Sequence, residues 1–210
     1  MNQFMEQNTD EWHNARLGKV TASRVFDVIT KTRSGYSTNR AKYMAELLCE
    51  RLTGRQGDFF KNAAMAWGTE TEPYAREVYE TDTGSLVIET GFVPHPTIPM
   101  SGASPDGLVG DDGLIEIKCP TTSTHLDTLA SDEVPPKYMA QMQWQMACTG
   151  RKWCDFVSYD PRVPAEFRTF SCRVPRDEAM ISNMETEVSK FLAELDAKVD
   201  GLKAKYGRDF

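Results

Sequence analysis

Helical and extended hydrophobic patterns alternate along the chain. Over "NRAKYMAELLCERLTG" the apolar positions Tyr43, Leu47 and Leu48 fall at helical spacing, with Ser37 or Thr38 as the start and Gly54 as the stop. Upstream, Asp10 predicts a cap for a short helix over "EWHNARL" that stops at Gly18, and Thr21 a cap for a second over "ASRVFDVI". "KTRSGYS" reads as an exposed basic loop. The stretch "AAMAWGTETEPYAREVYE" is helical in pattern but carries Gly68 and Pro73, which predict a break near 68 and a fresh start close to Pro73. Short β-rich runs follow at 86–93, around 98–109 and at 113–119, divided by turn residues. Pro135 and Pro136 open a helix over "KYMAQMQWQMACTG" that Gly150 ends. "KWCDFVSYD" and "FRTFSCRV" read as strands, and 176–205 as a long polar helix. This order predicts a mixed α/β (α+β) fold with one central mixed β-sheet and helices on its faces.

Composition narrows the class. A chain of 210 residues with 40% hydrophobic content suits one soluble domain spanning 1–210 with a sizeable core. No run of about eighteen apolar residues occurs, and the opening "MNQFMEQNTDEWHNARLG" is too polar for a secretory signal, so the expectation is a cytoplasmic protein without a membrane partner. Five cysteines without a C-x-x-C pair argue for buried thiols rather than a disulfide framework or metal cage. His13, His95 and His125 are too far apart in sequence to suggest a histidine metal site. A formal charge of -7 lowers the expectation of nucleic-acid binding without removing it, because a concave channel can be locally positive on an acidic protein.

Candidate chemistry concentrates in "SGASPDGLVGDDGLIEIKCP", residues 101–120. In an extended strand Glu116 and Lys118 point to one face and Ile117 to the other. A three-residue turn, Asp111-Asp112-Gly113 with Gly113 left-handed, sets Asp106 opposite Lys118, within reach of one hard cation shared with Glu116. Two carboxylates and a lysine at a strand end suit metal-assisted phosphodiester cleavage. A glycosidase-like acid pair fits less well, because Lys118 would suppress the raised pKa that a general acid needs. Taken alone, P-D-x(n)-E-x-K is short and degenerate, and Lys118 could simply protect an edge strand.

Around this motif, "EWHNARLGKVTAS", "TRSG", "AWGTETE", "YMAQMQ" and "YDPR" follow in an order that resembles the lambda exonuclease family, the YqaJ-like viral recombinases of the PD-(D/E)XK nuclease superfamily. The resemblance runs from about residue 11 to 162 and implies a restriction-endonuclease-like core. It implies a Mg²⁺-dependent exonuclease, with Mn²⁺ as a substitute and a two-metal site, that degrades linear double-stranded DNA from 5′-phosphorylated ends. It implies that mononucleotides are released and a 3′ single strand is left. It also implies a homotrimeric ring, a phage single-strand annealing protein as partner and a bacterial host cell. By position, Asp106, Glu116, Glu72 and the Ile117 carbonyl resemble the metal ligands and Lys118 the catalytic lysine. Arg16, Ser23, Ser104 and Gln141 resemble the 5′-phosphate pocket, Arg33 the arginine that tracks the duplex, and Met65 the wedge that splits the terminal pair. Taken singly, Arg16 reads as a helix-end cation, Met65 as core, and Gln141 with Gln145 as a solvated helix stripe. Pro73, Thr124 and Gln145 depart from the family's usual pattern. The alternatives are an endonuclease on the same fold and a DNA-end-binding module without turnover.

Overall fold

The computed structural model describes residues 6–57 and 63–207; the first five residues of the polar N-terminal stretch lie outside them. The chain opens with helix α1 (Asp10–Arg16), whose cap is Thr9 rather than Asp10: the Thr9 hydroxyl accepts from the Trp12 amide at 3.3 Å. Asp10 sits in the first turn, where its charge suits the helix dipole. Strand β1 (Val20–Thr21) leads into α2 (Ala22–Ile29) with Thr21 at the cap, as the pattern predicts. The basic loop is instead a tight ribbon of β2 (Lys31–Thr32) and β3 (Gly35–Tyr36), closed through Thr32, whose hydroxyl donates to the Gly35 carbonyl at 3.1 Å. Helix α3 (Thr38–Thr53) ends on Gly54 at φ +66°, a left-handed stop that suits glycine.

Helix α4 (Ala63–Thr83) passes through Gly68 and Pro73 without the expected break. Proline inside a helix costs about 3 kcal/mol. Here Pro73 is on the solvent side, and Thr69, whose carbonyl loses its partner, is exposed to water. On the opposite side Thr71, Ala75 and Tyr79 are buried against the sheet, and this tertiary contact outweighs the local signal.

Strands β4 (Val87–Ile88), β5 (Val93–Pro94), β6 (Ser101–Ala103), β7 (Gly107–Val109) and β8 (Gly113–Lys118) follow. Then come α5 (Thr122–Ser131), absent from the sequence reading, α6 (Pro136–Thr149), β9 (Trp153–Tyr159), β10 (Thr169–Pro175) and α7 (Glu178–Tyr206). The strands do not join one sheet. A central mixed sheet runs β10-β9-β8-β7-β4, a smaller one runs β1-β6-β5, and the β2-β3 ribbon stands apart. In the central sheet β8 and β9 are parallel, as the crossover through α5 and α6 permits, and the other pairs are antiparallel.

Alternation along β8 divides its side chains between two layers. Ile115, Ile117 and Cys119 pack with Ala75 and Tyr79 of α4, while Leu114 packs with Met142 and Met146 of α6. Helix α6 also turns Ala140, Trp144 and Cys148 toward α2, α3 and α7, so it has apolar neighbours all round. Among the described residues no helix is long and apolar enough to cross a membrane.

Candidate active site

The β7–β8 hairpin brings the acids together in a register different from the one expected. Its turn has three residues, but they are Gly110-Asp111-Asp112, with Val109 opposite Gly113 and Leu108 opposite Leu114. The left-handed position is Gly110, at φ +53°. Gly113 is required for another reason: a Cβ there would lie 2.1 Å from the Trp153 ring. The register, continued by one residue, sets Asp106 opposite Glu116 rather than Lys118. A shift of two residues leaves every side chain on its original face, so the convergence survives. Arg151 fastens the turn by donating to the Gly110 and Gly113 carbonyls at 2.8 and 2.7 Å.

Glu116 is 0% exposed. Its two oxygens accept from the side-chain amides of Gln141 at 2.6 Å and Gln145 at 2.5 Å, and it is ion-paired with Lys118. These glutamines are not the solvated stripe expected from their spacing. Because α6 has no water-facing side from Ala140 to Cys148, its amides there turn to partners inside the protein. Burial and the neighbouring charge of Asp106 push the Glu116 carboxyl up to about 7. Burial alone would weaken the positive charge of Lys118, but Glu116 and Asp106 outweigh it and hold the ammonium firmly protonated. Asp106 accepts from the Ile117 amide at 2.7 Å, which ties the carboxylate to the strand carrying Glu116 and Lys118.

Glu72 approaches from α4. Burial and the charge of Asp106 raise it to about 7, against the pull of Arg76, its i,i+4 ion-pair partner at 2.9 Å, and of Lys118. Among the described residues no three His, Cys, Asp or Glu side chains close into a ready metal cage. The centre is therefore the Asp106–Glu116 pair with Lys118, and Glu72 is an electrostatic neighbour on the adjoining layer. This donor set fits a hard divalent cation. It consists of oxygens, burial together with the charge of Asp106 raises Glu116 and the neighbouring Glu72, and the Gln145 Oε1 beside them is buried without a hydrogen-bond partner.

A second, positively charged locus adjoins the first through residues 104–106. Arg16 donates to the Ser104 hydroxyl at 3.1 Å, and the Trp12 indole donates to the same oxygen at 2.9 Å. The guanidinium stacks 3.9 Å from the Trp12 ring. Burial lowers the Arg16 pKa to about 10, with Tyr43 and Glu50 opposing, and no ion pair to a described residue neutralises it. Arg16, Ser23 and Met65 all line a cavity of about 640 Å³, together with Trp12, Lys19 and Arg24. Met65 is half exposed on α4, not in the core. Of the expected phosphate pocket the structure thus assembles Arg16, Ser23 and Ser104, whereas Gln141 is engaged on Glu116. Arg33 stands at the exposed tip of the β2–β3 ribbon.

The sequence reading missed Trp12, which orients Ser104 and Arg16, and the clamp on Glu116 by Gln145. An uninterrupted Met, Gln and Trp helix with no charged face was the available signal for the second.

A model of the YqaJ-like viral recombinase domain matches residues 11–152. The alkaline exonuclease LHK-Exo from Laribacter hongkongensis shares 58% sequence identity and superposes with a TM-score of 0.89 over 94% of this chain and 97% of that one. The structure of LHK-Exo in complex with dAMP agrees to the same extent. A phage-related exonuclease from Haemophilus somnus 129PT, 16% identical, shares the fold with a TM-score of 0.68 over 88% of this chain and 96% of that one. No curated protein gives a significant match.

Proposed function

The chain belongs to the YqaJ-like viral recombinase family, and on that premise we propose that this alkaline exonuclease-like nuclease is a Mg²⁺-dependent 5′-to-3′ exonuclease on linear double-stranded DNA. It releases 5′-mononucleotides and leaves a 3′ single strand for annealing-type recombination. The observation that carries the reading is the juxtaposition of an acid-acid-lysine cluster with a half-buried guanidinium, without an ion pair to any described residue, only two residues of backbone away, at Ser104.

Asp106, Glu116 and the Ile117 carbonyl would hold Mg²⁺, or Mn²⁺ in its place, and Glu72 would serve a second position. The ion supplies charge neutralisation at the phosphate and lowers the pKa of water. The residues of the chain do the rest. Gln141 and Gln145 fix the plane of the Glu116 carboxylate; Oε1 also takes Lys118, and Oε2, with Gln145 alone, keeps a lone pair for the ion. Lys118, held protonated, steadies the nucleophile and the charge that grows on the scissile phosphate. Arg16, with Ser104 and Ser23, takes the terminal 5′-phosphate, for which a guanidinium and short hydroxyl donors are suited. Met65 lies on the cavity wall where an apolar side chain can press on the terminal base pair, and Arg33 meets the duplex farther along. The reading extends to a homotrimeric ring around DNA, a phage annealing protein as partner and a bacterial cytoplasm as setting.

Timed digestion of linear duplex with 5′-phosphate or 5′-hydroxyl ends, beside a covalently closed circle, tests it. Phosphorylated ends are expected to be degraded fastest and the circle to stay intact. Nicking or linearisation of the circle by pure protein would overturn the exonuclease assignment.

A further inference from the structure

Arg162, in the "YDPR" stretch, has no part in the chemistry above, yet it lies beside the end of the catalytic strand. Its guanidinium grips Asp160 with two bonds, Nε to Oδ1 at 2.7 Å and Nη2 to Oδ2 at 2.9 Å, and its backbone amide donates to the same carboxylate at 2.9 Å. Nη2 also donates to the Pro120 carbonyl at 3.0 Å, two residues beyond Lys118. Across the gap between layers, the guanidinium lies 4.1 Å from the Trp67 ring of α4. Thr122, at the start of α5, closes the group by donating to Asp160 at 2.6 Å. One side chain therefore joins three segments: the turn that ends β8, the turn after β9, and the half of α4 that bears Met65 and Glu72.

We propose that Arg162 is a positioning residue that clamps α4 to the Cys119–Pro120 turn and so sets Glu72 against Asp106 and Lys118. The inference rests on the nuclease reading above. Four features point to positioning rather than ordinary surface pairing. Asp160 is fully buried, so its charge must be matched, and Arg162 matches it with planar geometry that lysine cannot reproduce. Trp67 packs at the margin of the cluster that holds Cys119, Ile117 and Ala75, so a cation over its ring fixes that margin from outside. The local signal along α4 is weak, with Gly68 and Pro73 in sequence, so its placement depends on such outside contacts. Finally, the bonds of Arg162 to described residues go to Asp160 and Pro120, and none goes to Asp106, Glu116, Lys118 or Glu72.

The test is a double-mutant cycle with Glu72 together with hydrogen exchange on metal-free protein. Arg162→Ala is expected to lower kcat/KM about tenfold or more, the range found when residues that orient metal ligands are removed. In a Glu72→Ala background the same change should cost less than about twofold, because the two act through one element. Arg162→Lys keeps the charge but not the fork and should fall between, which covers the case in which the alanine variant folds poorly. Exchange should quicken in peptides spanning 63–72 and 119–122 and stay unchanged in α7. Equal losses in both backgrounds, or unchanged exchange in α4, would overturn the clamp. An unimpaired Glu72→Ala variant would instead remove the role given to Glu72, and the exchange measurement would then decide the clamp alone.

Discussion

Glu116 and Glu187 are the same residue type, both almost wholly buried and both bound by three side-chain donors, yet they sit at opposite ends of the carboxyl range. Glu187, on α7, accepts from Tyr36 at 2.5 Å, Lys31 at 3.1 Å and Lys190 at 3.3 Å. The Tyr36 hydrogen bond and two lysines overcome burial and depress it to about 2. Glu116 has one lysine and two amides, but burial and the charge of Asp106 raise it to about 7. The first arrangement has its charge matched from within the fold, pinning the β2–β3 ribbon to the C-terminal helix. The second is left short of positive charge, which is what a site for a cation requires. Arg16 is the mirror case, a half-buried cation without an ion pair to any described residue, as a phosphate site requires.

The largest effects should separate the two glutamates by activity. Glu116→Ala or Asp106→Ala is expected to lower Mg²⁺-dependent cleavage by about a thousandfold or more while DNA-end binding stays measurable. Glu187→Ala should leave turnover on saturating DNA within a few fold. A Glu116 variant that retained a tenth of the rate would break the contrast. Next in size, removal of the 5′-phosphate or Arg16→Ala should slow initiation by about ten- to a hundredfold, as expected when a charged hydrogen bond is lost. Equal initiation on phosphorylated and hydroxyl ends would remove the anion site from the account.

The smallest effect is on stability against pH, and it has opposite signs for the two groups. Glu187 and Asp160, the second held at about 2 because Arg162 and Thr122 outweigh its burial, have folded pKa values below their unfolded ones. Their contribution is therefore full above about pH 4.5 and is lost as pH falls toward 2. Glu116 and Glu72 are raised, so their contribution is full below about pH 4.5 and is lost as pH climbs through about 7. Thermal melts of metal-free protein should thus show greatest stability near pH 4 to 5 from these groups. Glu187→Gln should flatten the acid limb alone, and a Glu187→Gln profile parallel to wild type below pH 4 would contradict the pairing.

How much of this was legible depended on whether the signal was local. Helices α2 and α6, and the glycine stops at 54 and 150, follow from caps and breakers in the sequence itself. The break at Pro73 was misjudged because burial of Ala75 and Tyr79 against the sheet, a contact with residues distant in sequence, overrides it. Helix α5 was missed because "TSTHLDTLAS" lacks apolar periodicity. It is held by polar packing instead, with His125 bonded to the Ser158 hydroxyl at 2.8 Å and the Phe167 carbonyl at 2.7 Å. In the site, alternation along β8 was enough to unite Asp106, Glu116 and Lys118 even with the turn displaced, because the displacement was an even number of residues. The glutamine clamp needed knowledge of which helix face meets the sheet, and spacing alone does not carry that.

The proposed chemistry requires one divalent ion between Asp106 and Glu116. Anomalous diffraction from crystals grown with Mn²⁺ reads this directly. A peak bridging the two carboxylates, lost in the Glu116→Gln protein, is the predicted result. A peak elsewhere, or none under conditions in which the same preparation degrades DNA, would contradict it.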